Sequence, residues 1–472
     1  MDTTHTFPLP FDEPVVAVEQ ISEISTASAA SAAPALIWPD SNEYDTARRA
    51  WNLTADQRPA CVCVARTVRD VQAAVDYARS AGLTVAPQGT GHLGQALPSL
   101  ERTMLLKTAL HDGEVKVDPV NHTARIKAGA RWGDVVRAVT PHGLAVMHGS
   151  SPSVGVIGYL LAGGLSFYGR KHGLAVNHVR ALEVVTADGV HRHVDAEHNR
   201  DLFYALRGGS GGYAIVTSVE IGLLPYAEVT GGALFFAAED VRRVMRAWLG
   251  WTAQASDDIT TTFRVLNLPP VPDVPEPLRG ITSVCVNGVA LDPAQAEQLE
   301  ARLRYAATPI LGGFGPMPAA AVARLHGDPE DPIPGIGDGM MLEKLDDWAI
   351  DSFVRASGEG SPLLAAEIRQ LGGALSSPPP GAGARGHLEG RFLLFGVGVP
   401  GAPAPAADLE AYLDHYLAAM RPWATGTRFL SFAERTRSLR TCVPDSVLAR
   451  LQRIRAAADP TGMLVASHMP DS

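Results

Sequence analysis

Residues 68–94 read VRDVQAAVDYARSAGLTVAPQGTGHLG. In the final eight, Gly89, Gly91 and Gly94 fit the spacing G-x-G-x-x-G, the dinucleotide fingerprint, but His92 sits inside it. That fingerprint works by opening a helix whose N-terminus carries the pyrophosphate. The flanks here run the other way. "ACVCVA" (60–65) reads as an apolar strand. Thr67 and Asp70 stand at capping-box spacing. Val68, Val71, Val75 and Ala78 recur at helical spacing, Gly82 is a helix stop, and "LTVAP" (83–87) is the next strand. After Gly94 come Pro98 and another apolar strand, "TMLLK" (103–107), with no amphipathic helix between. The glycines therefore close a strand–helix–strand unit, and a nicotinamide site is excluded.

The pattern continues outward. "EVKVDP" (114–119) and "TARIKAG" (123–129) read as strands, and "RWGDVVRAVTPHG" (131–143) as a helix with Trp132, Val135, Val136 and Val139 inward. A second glycine-rich stretch, "HGSSPSVGVIGYLLAGGLSFYGRKHGL", spans 148–174. "ALEVVTADG" (181–189) is a strand, "DLFYALRGG" (201–209) a short helix and "YAIVTSVEIGLLP" (213–225) a long strand. Beyond 226 the character changes. Strand-like runs at 231–238, 260–268, 281–291 and "HLEGRFLLFGVGV" (387–399) alternate with amphipathic helices at 241–254, 293–306 and 407–420. Strands backed by helices predict a sheet covered on one face and free on the other. The Ala/Ser-rich "STASAASAA" (25–33) predicts a disordered tail over 1–33.

Composition narrows the function. A net charge of −10 gives no electrostatic reason to bind nucleic acid or anionic membrane. No apolar run is long enough to span a bilayer, and MDTTHTFPLPFDEP lacks the basic-then-apolar order of a signal peptide, so a cytoplasmic protein is expected. Cys61, Cys63, Cys285 and Cys442 form neither C-x-x-C nor a Cys/His metal spacing, and are expected to be small buried side chains. "HRH" (191–193) offers two ligands without carboxylate or cysteine support, so no metal is assigned.

The longer motifs carry a resemblance. "YDTARRAWN" (44–52), the segment 68–94, "SPSVGVIGYLLAGGLSFYGRKHGLAVNHV" (151–179), "DLFYALRGGSGGYAIVTSVEI" (201–221) and "LARLQRIRAAADPTGMLVASHMP" (448–470) are similar, in order, to the berberine-bridge-enzyme-like group of the vanillyl-alcohol-oxidase, PCMH-type, FAD-linked oxidases. The resemblance implies an α+β chain. A two-part FAD-binding domain is expected over 36–225 and 426–472, with a substrate domain of antiparallel sheet backed by helices over 226–425. It implies that His92 is bonded to the 8α-methyl of the isoalloxazine. It places Gly89, Thr90, Gly91 and Leu93, then Ser150, Ser151, Ser153, Val154, Gly155, Gly158, Gly163 and Gly164, and Ile215 and Val216, around the cofactor.

These residue types suit the task. Glycine loops let backbone N–H groups approach a pyrophosphate where no basic motif supplies charge, and serine hydroxyls add donors. Some relatives bond the flavin a second time through cysteine at the position of Ser151. Serine is far less nucleophilic than a thiolate at neutral pH, so one link, through His92, is expected. Leu93 and Ser431 depart from the serine and asparagine common in the group. Val154 stands where the group's residue lies near flavin C4a, and a small side chain there implies access for dioxygen.

For a proton-accepting base, His387, Glu389 and Arg391 share one face if 387–399 is a strand. Glu389 is the first candidate and His387 the second, with Tyr168 and Tyr159 beside the second loop. The expected reaction takes hydride from a small organic substrate (an alcohol, hemiacetal, phenol or activated C–H) and passes electrons to dioxygen, in the setting of bacterial secondary metabolism. The alternatives are a dehydrogenase with another acceptor, or a catalytically inactive carrier or scaffold. Oligomeric state is not readable from the sequence.

Overall fold

A computed structural model describes residues 34–401 and 404–470. The expected tail over 1–33 lies outside the described residues. Three sheets organise the rest. The first contains β1 (Leu36–Ile37), β2 (Cys61–Ala65), β3 (Thr84–Gln88) and β4 (Thr103–Thr108) in the order β1-β2-β4-β3, with β2 and β3 both parallel to β4. The second is antiparallel, from β5 (Val115–Asp118), β6 (Thr123–Lys127), β7 (Val179–Val185), β8 (His191–Asp195) and β9 (Ile215–Gly222), in the order β5-β6-β9-β7-β8.

The helix Val68–Ala81 starts and stops where its sequence says. Thr67 and Asp70 close a capping box, and Gly82 ends the helix at φ +66°. Between β3 and β4, residues 89–102 form only a short 3-10 turn at Gly94–Ala96. The glycine loop thus opens no α-helix. All four cysteines are buried and free, and Trp132, Val135, Val136 and Val139 point inward.

The third sheet is antiparallel throughout. It comprises β10 (Glu228–Ala237), β11 (Ile259–Asn267), β12 (Thr282–Ala290), β13 (Leu311–Pro318), β14 (Ile336–Leu342), β15 (Ala365–Gln370) and β16 (Phe392–Gly398), in the order β13-β10-β12-β11-β15-β16-β14. Its inward alternates, among them Phe236, Phe263, Val286, Ile368 and Leu394, form one core with Trp248, Leu299, Phe353 and Tyr416 from four helices. Those helices are Val241–Thr252, Pro293–Ala306, Asp347–Ser357 and Ala406–Met420. Helices cover one face, as the pattern predicts. The other face supplies the floor of the candidate site.

Sequence periodicity did not reveal β13, β14 and β15 or the helix Asp347–Ser357. β13 and β14 are the sheet's two edges. The glycines and prolines of LGGFGPMP break the strand signature, yet an edge strand tolerates a residue that donates no hydrogen bond.

The C-terminal segment returns to the first sheet. Asp459 accepts the N–H groups of Met463 at 2.9 Å and Leu464 at 2.7 Å. This presents Leu464 alongside Val85 of β3, with Val85 N–H donating to Met463 O and Val465 N–H to Val85 O, each at 2.8 Å. Among the described residues no helix is long and apolar enough to cross a membrane.

Candidate active site

A cavity of about 520 Å³ runs between the two glycine-rich stretches and the free face of the seven-stranded sheet. Gly89, Thr90, Gly91, His92 and Leu93 line it from the first stretch. Ser150, Ser151, Val154, Gly155 and Gly158 line it from the second, and Val216 from β9.

His92 is tightly placed. Its ring stacks on Trp51, centroids 3.8 Å apart and planes 15° from parallel. Nε2 lies 3.2 Å from Ser153 Oγ, which lies 2.9 Å from Ser151 Oγ. Nδ1 has no protein partner among the described residues. Burial pulls the His92 pKa down to about 4, against a hydrogen bond with the Ser153 backbone and helped by Arg131. The imidazole is therefore neutral at physiological pH.

Several expected cofactor residues act from behind the wall. Ser153 does not line the cavity and reaches it through His92 and Ser151. Ile215 turns into the core and is fully buried, because successive strand side chains face opposite ways; the expectation that it faces the cofactor is corrected in favour of Val216 alone. Gly163 and Gly164 do not border the cavity either. They turn the chain at φ +107° and +73° beneath Phe429 and Tyr159, and a Cβ on Gly164 would lie 2.3 Å from the Tyr159 ring. Gly164→Ala is expected to destabilise the fold by about 1–3 kcal/mol and to displace Tyr159 into the cavity. Urea unfolding of the purified variant measures the loss.

The sheet floor carries charge. Arg264 on β11 pairs directly across from Glu367 on β15, which pairs with Phe395 on β16. Arg369 Nε donates to Glu367, Arg264 Nε lies 3.4 Å from it, and Arg264 donates to the His326 carbonyl at 2.9 Å. Burial, then Arg264 and Arg369, hold the His326 pKa well below its ordinary value. Asp328, on the same loop as His326, accepts from Ser150 at 2.9 Å. Burial raises its pKa, opposed by Arg264 and by the Ser150 bond. The loop is tied to the entry segment: Leu53 N–H donates to Ile333 O at 3.0 Å and Asn52 Nδ2 to Gly335 O at 2.9 Å.

Glu434 completes the wall from the closing segment. Gly337 makes room for it, since a Cβ there would lie 2.7 Å from Glu434 Oε2. Its side chain meets no cation or hydrogen-bond donor among the described residues. Burial, then the charges of Asp338 and Asp328, push its pKa up to about 8. Asp338 is itself fully buried and neutralised by Arg428, Arg435 and Arg437, with nitrogen–oxygen distances of 3.0, 3.0 and 2.7 Å.

The expected bases lie elsewhere. Residues 387–391 are not strand; β16 begins at Phe392. Gly390, at φ +90°, interrupts the extended run, so His387 and Glu389 share no face above the cavity and neither borders it. Glu389 is exposed. Tyr168 is buried with its hydroxyl unpartnered and its ring stacked on Tyr226 at 6.1 Å, away from the cavity. Tyr159 does border it, with an unpartnered hydroxyl whose pKa burial raises. Glu434, Glu367, Arg369, Arg264 and Asp328 were not singled out by the sequence. "AEIRQ" (366–370) carries the same charged alternation as "HLEGR" and was the available signal; Glu434 has none.

Residues 59–195 match the family described as FAD binding domain. The chain carries an FAD binding domain in a PCMH-type fold. It is similar to a glucooligosaccharide oxidase of Sarocladium strictum, 35% identical over 201 residues, covering 40% of this chain and 38% of that one. It spans less than half the length of the curated relatives it matches. Among solved structures, the fold is similar to Physcomitrella patens BBE-like 1 at TM-score 0.80, with 21% identity and coverage of 93% of this chain and 96% of that one. It is also similar to a glucooligosaccharide oxidase from Acremonium strictum at TM-score 0.77, with 22% identity and coverage of 93% and 98%; that structure's description concerns a 6-S-cysteinyl, 8α-N1-histidyl FAD.

The residues present fit FAD. The N–H groups of Gly91, His92 and Leu93 donate to no protein acceptor among the described residues, a donor set suited to a pyrophosphate. Gly89 and Gly158 both line the cavity, and a Cβ on either would face open space, with no protein atom beyond its immediate chain surroundings within 4 Å.

Proposed function

We propose that this chain is an FAD-dependent oxidase of small organic molecules, with FAD held covalently through His92 alone and dioxygen as the final electron acceptor. The observation that carries this reading is the meeting in one cavity of two groups with complementary tuning. One is the neutral His92 with a free Nδ1; the other is Glu434, a carboxyl with a pKa of about 8.

When bound, FAD accepts the hydride and passes the electrons on. The chain's own residues do the rest. Trp51 and Ser153 hold the His92 ring at the cavity wall through its face and Nε2, which leaves Nδ1 for the cofactor. An N1-histidyl link of the kind named for the glucooligosaccharide oxidase uses that nitrogen. The second link named there is cysteinyl; here Ser151 stands in the second loop, and none of the four cysteines lines the cavity. Ionised Glu434 accepts the proton of a substrate hydroxyl or acidic C–H as hydride leaves. Arg264 and Arg369, held by Glu367, and Asp328, held by Ser150, position polar groups of the substrate. The apolar stretch Leu266, Ala365 and Val397 on the same floor packs against its carbon skeleton. Val154 borders the cavity from the second loop and leaves room for dioxygen.

Aerobic turnover with a panel of alcohols, sugars and phenols tests the reading. Stoichiometric hydrogen peroxide supports the oxidase. Turnover only with an artificial dye acceptor indicates the dehydrogenase, and a yellow protein that no substrate bleaches under argon indicates the inactive carrier.

A further inference from the structure

The edge strand β8 holds a second constellation, away from the cavity. Alternation puts His191, His193 and Asp195 on one face. Glu183 of β7 stands directly across from His193. Its carboxylate lies 2.8 Å from His193 Nδ1 and 3.3 Å from His191 Nε2. The turn after β8 then folds back. Asp195 Oδ1 accepts the N–H groups of Glu197 at 2.8 Å and His198 at 2.6 Å. Asn199, at φ +53°, donates through Nδ2 to the His193 carbonyl at 2.7 Å. This brings His198 Nδ1 to 3.0 Å from Asp195 Oδ1 and 3.2 Å from Oδ2, while His193 Nε2 lies 3.0 Å from Oδ2. One ligand atom from each of His193, Asp195 and His198 lies within 4.8 Å of the other two.

We propose that His193, Asp195 and His198 bind one divalent transition-metal ion, of which Zn²⁺ is the representative. Two imidazole nitrogens and a carboxylate oxygen are the donors such an ion takes, at about 2.0–2.2 Å each, so modest side-chain rotation closes the group around it. His193 and His198 are 46% and 65% exposed, which leaves the rotation free and an entry path open. Glu183 on His193 Nδ1 supplies the outer carboxylate that fixes a ligand histidine's tautomer, with Nε2 turned outward to the metal. Three protein ligands leave a fourth position for water.

The sequence alone assigns no metal because "HRH" by itself offers two histidines without a carboxylate. The turn supplies the missing support, and His193 rather than His191 is the ligand. Metal binding pins residues 195–199, which lead through the helix Arg200–Ala205 to Ser210, Gly211 and Gly212 on the cavity wall. The ion therefore stiffens one approach to the FAD binding domain.

Calorimetric titration of Zn²⁺ into the full chain at neutral pH tests this. One saturable site is expected, together with a higher unfolding temperature in the presence of Zn²⁺. Both effects are lost in the double variant His193→Ala/His198→Ala and kept in His191→Ala. Because both replaced histidines are exposed, the double variant's metal-free unfolding temperature should match that of the natural chain. Equal binding by natural chain and double variant overturns the proposal, as does the lack of any saturable binding by the natural chain.

Discussion

Glu434→Gln is expected to lower kcat by ~10²–10⁴-fold, the usual contribution of a positioned base, with FAD content unchanged. Glutamine keeps the shape of the protonated carboxyl and removes only its ability to accept a proton. The pH dependence gives a second readout. A base acts in its ionised form, so activity of the natural chain rises with pH through about 8, where Glu434 titrates. The variant lacks that limb.

Stability moves the opposite way. The folded-state pKa lies above the ordinary carboxylate value, so the folded state binds more protons between the two. Stability is highest below the ordinary pKa and declines as pH rises through about 8. Glu434→Gln removes this decline. Unfolding temperatures measured from pH 5 to 9 separate the two chains, and an unchanged rate–pH profile in the variant would assign the base elsewhere.

The second large effect is on the cofactor itself. Acid-precipitated natural chain is expected to give a yellow pellet, and His92→Ala a colourless pellet under a yellow supernatant. The low pKa of His92, about 4, means that the free base needed to form the bond is present across the physiological range. Attachment should therefore not weaken between pH 6 and 8, as it would for a histidine of ordinary pKa. Colour released from the natural chain is the result that would sink the tether, leaving FAD bound without a covalent bond.

Local signals were reliable where local physics decides. Thr67, Asp70 and Gly82 bound their helix by side-chain capping and a left-handed stop. The inward set of Trp132, Val135, Val136 and Val139 followed from helical spacing. Both glycine loops proved to share one cavity. The charged floor was harder, because period-two alternation of charge in "HLEGR" and "AEIRQ" is the same signal in two places. What separates them is Gly390 at φ +90°, a backbone conformation that ends one extended run, against a partnered central strand for the other. Glu434 was out of reach for a different reason. Its tuning comes from burial and then from Asp338 and Asp328, about a hundred positions earlier, and only the assembled chain buries it and brings the three carboxyls together. The return of the chain after β8 is likewise a turn property, invisible in "HRH" alone.

The pairing of Leu464 with Val85 bears on how the cavity is closed. β3 is an edge strand, and its outer side is covered only when residues 463–465 lie along it. Ala466, Ser467 and His468 then become part of the cavity wall. Without residues 463–468, both glycine loops, the charged floor and Glu434 are still present in the sequence, yet β3 is left uncovered and the cavity wall open. A variant cut before residue 463 is therefore expected to retain less FAD, which the flavin absorbance of the purified protein measures.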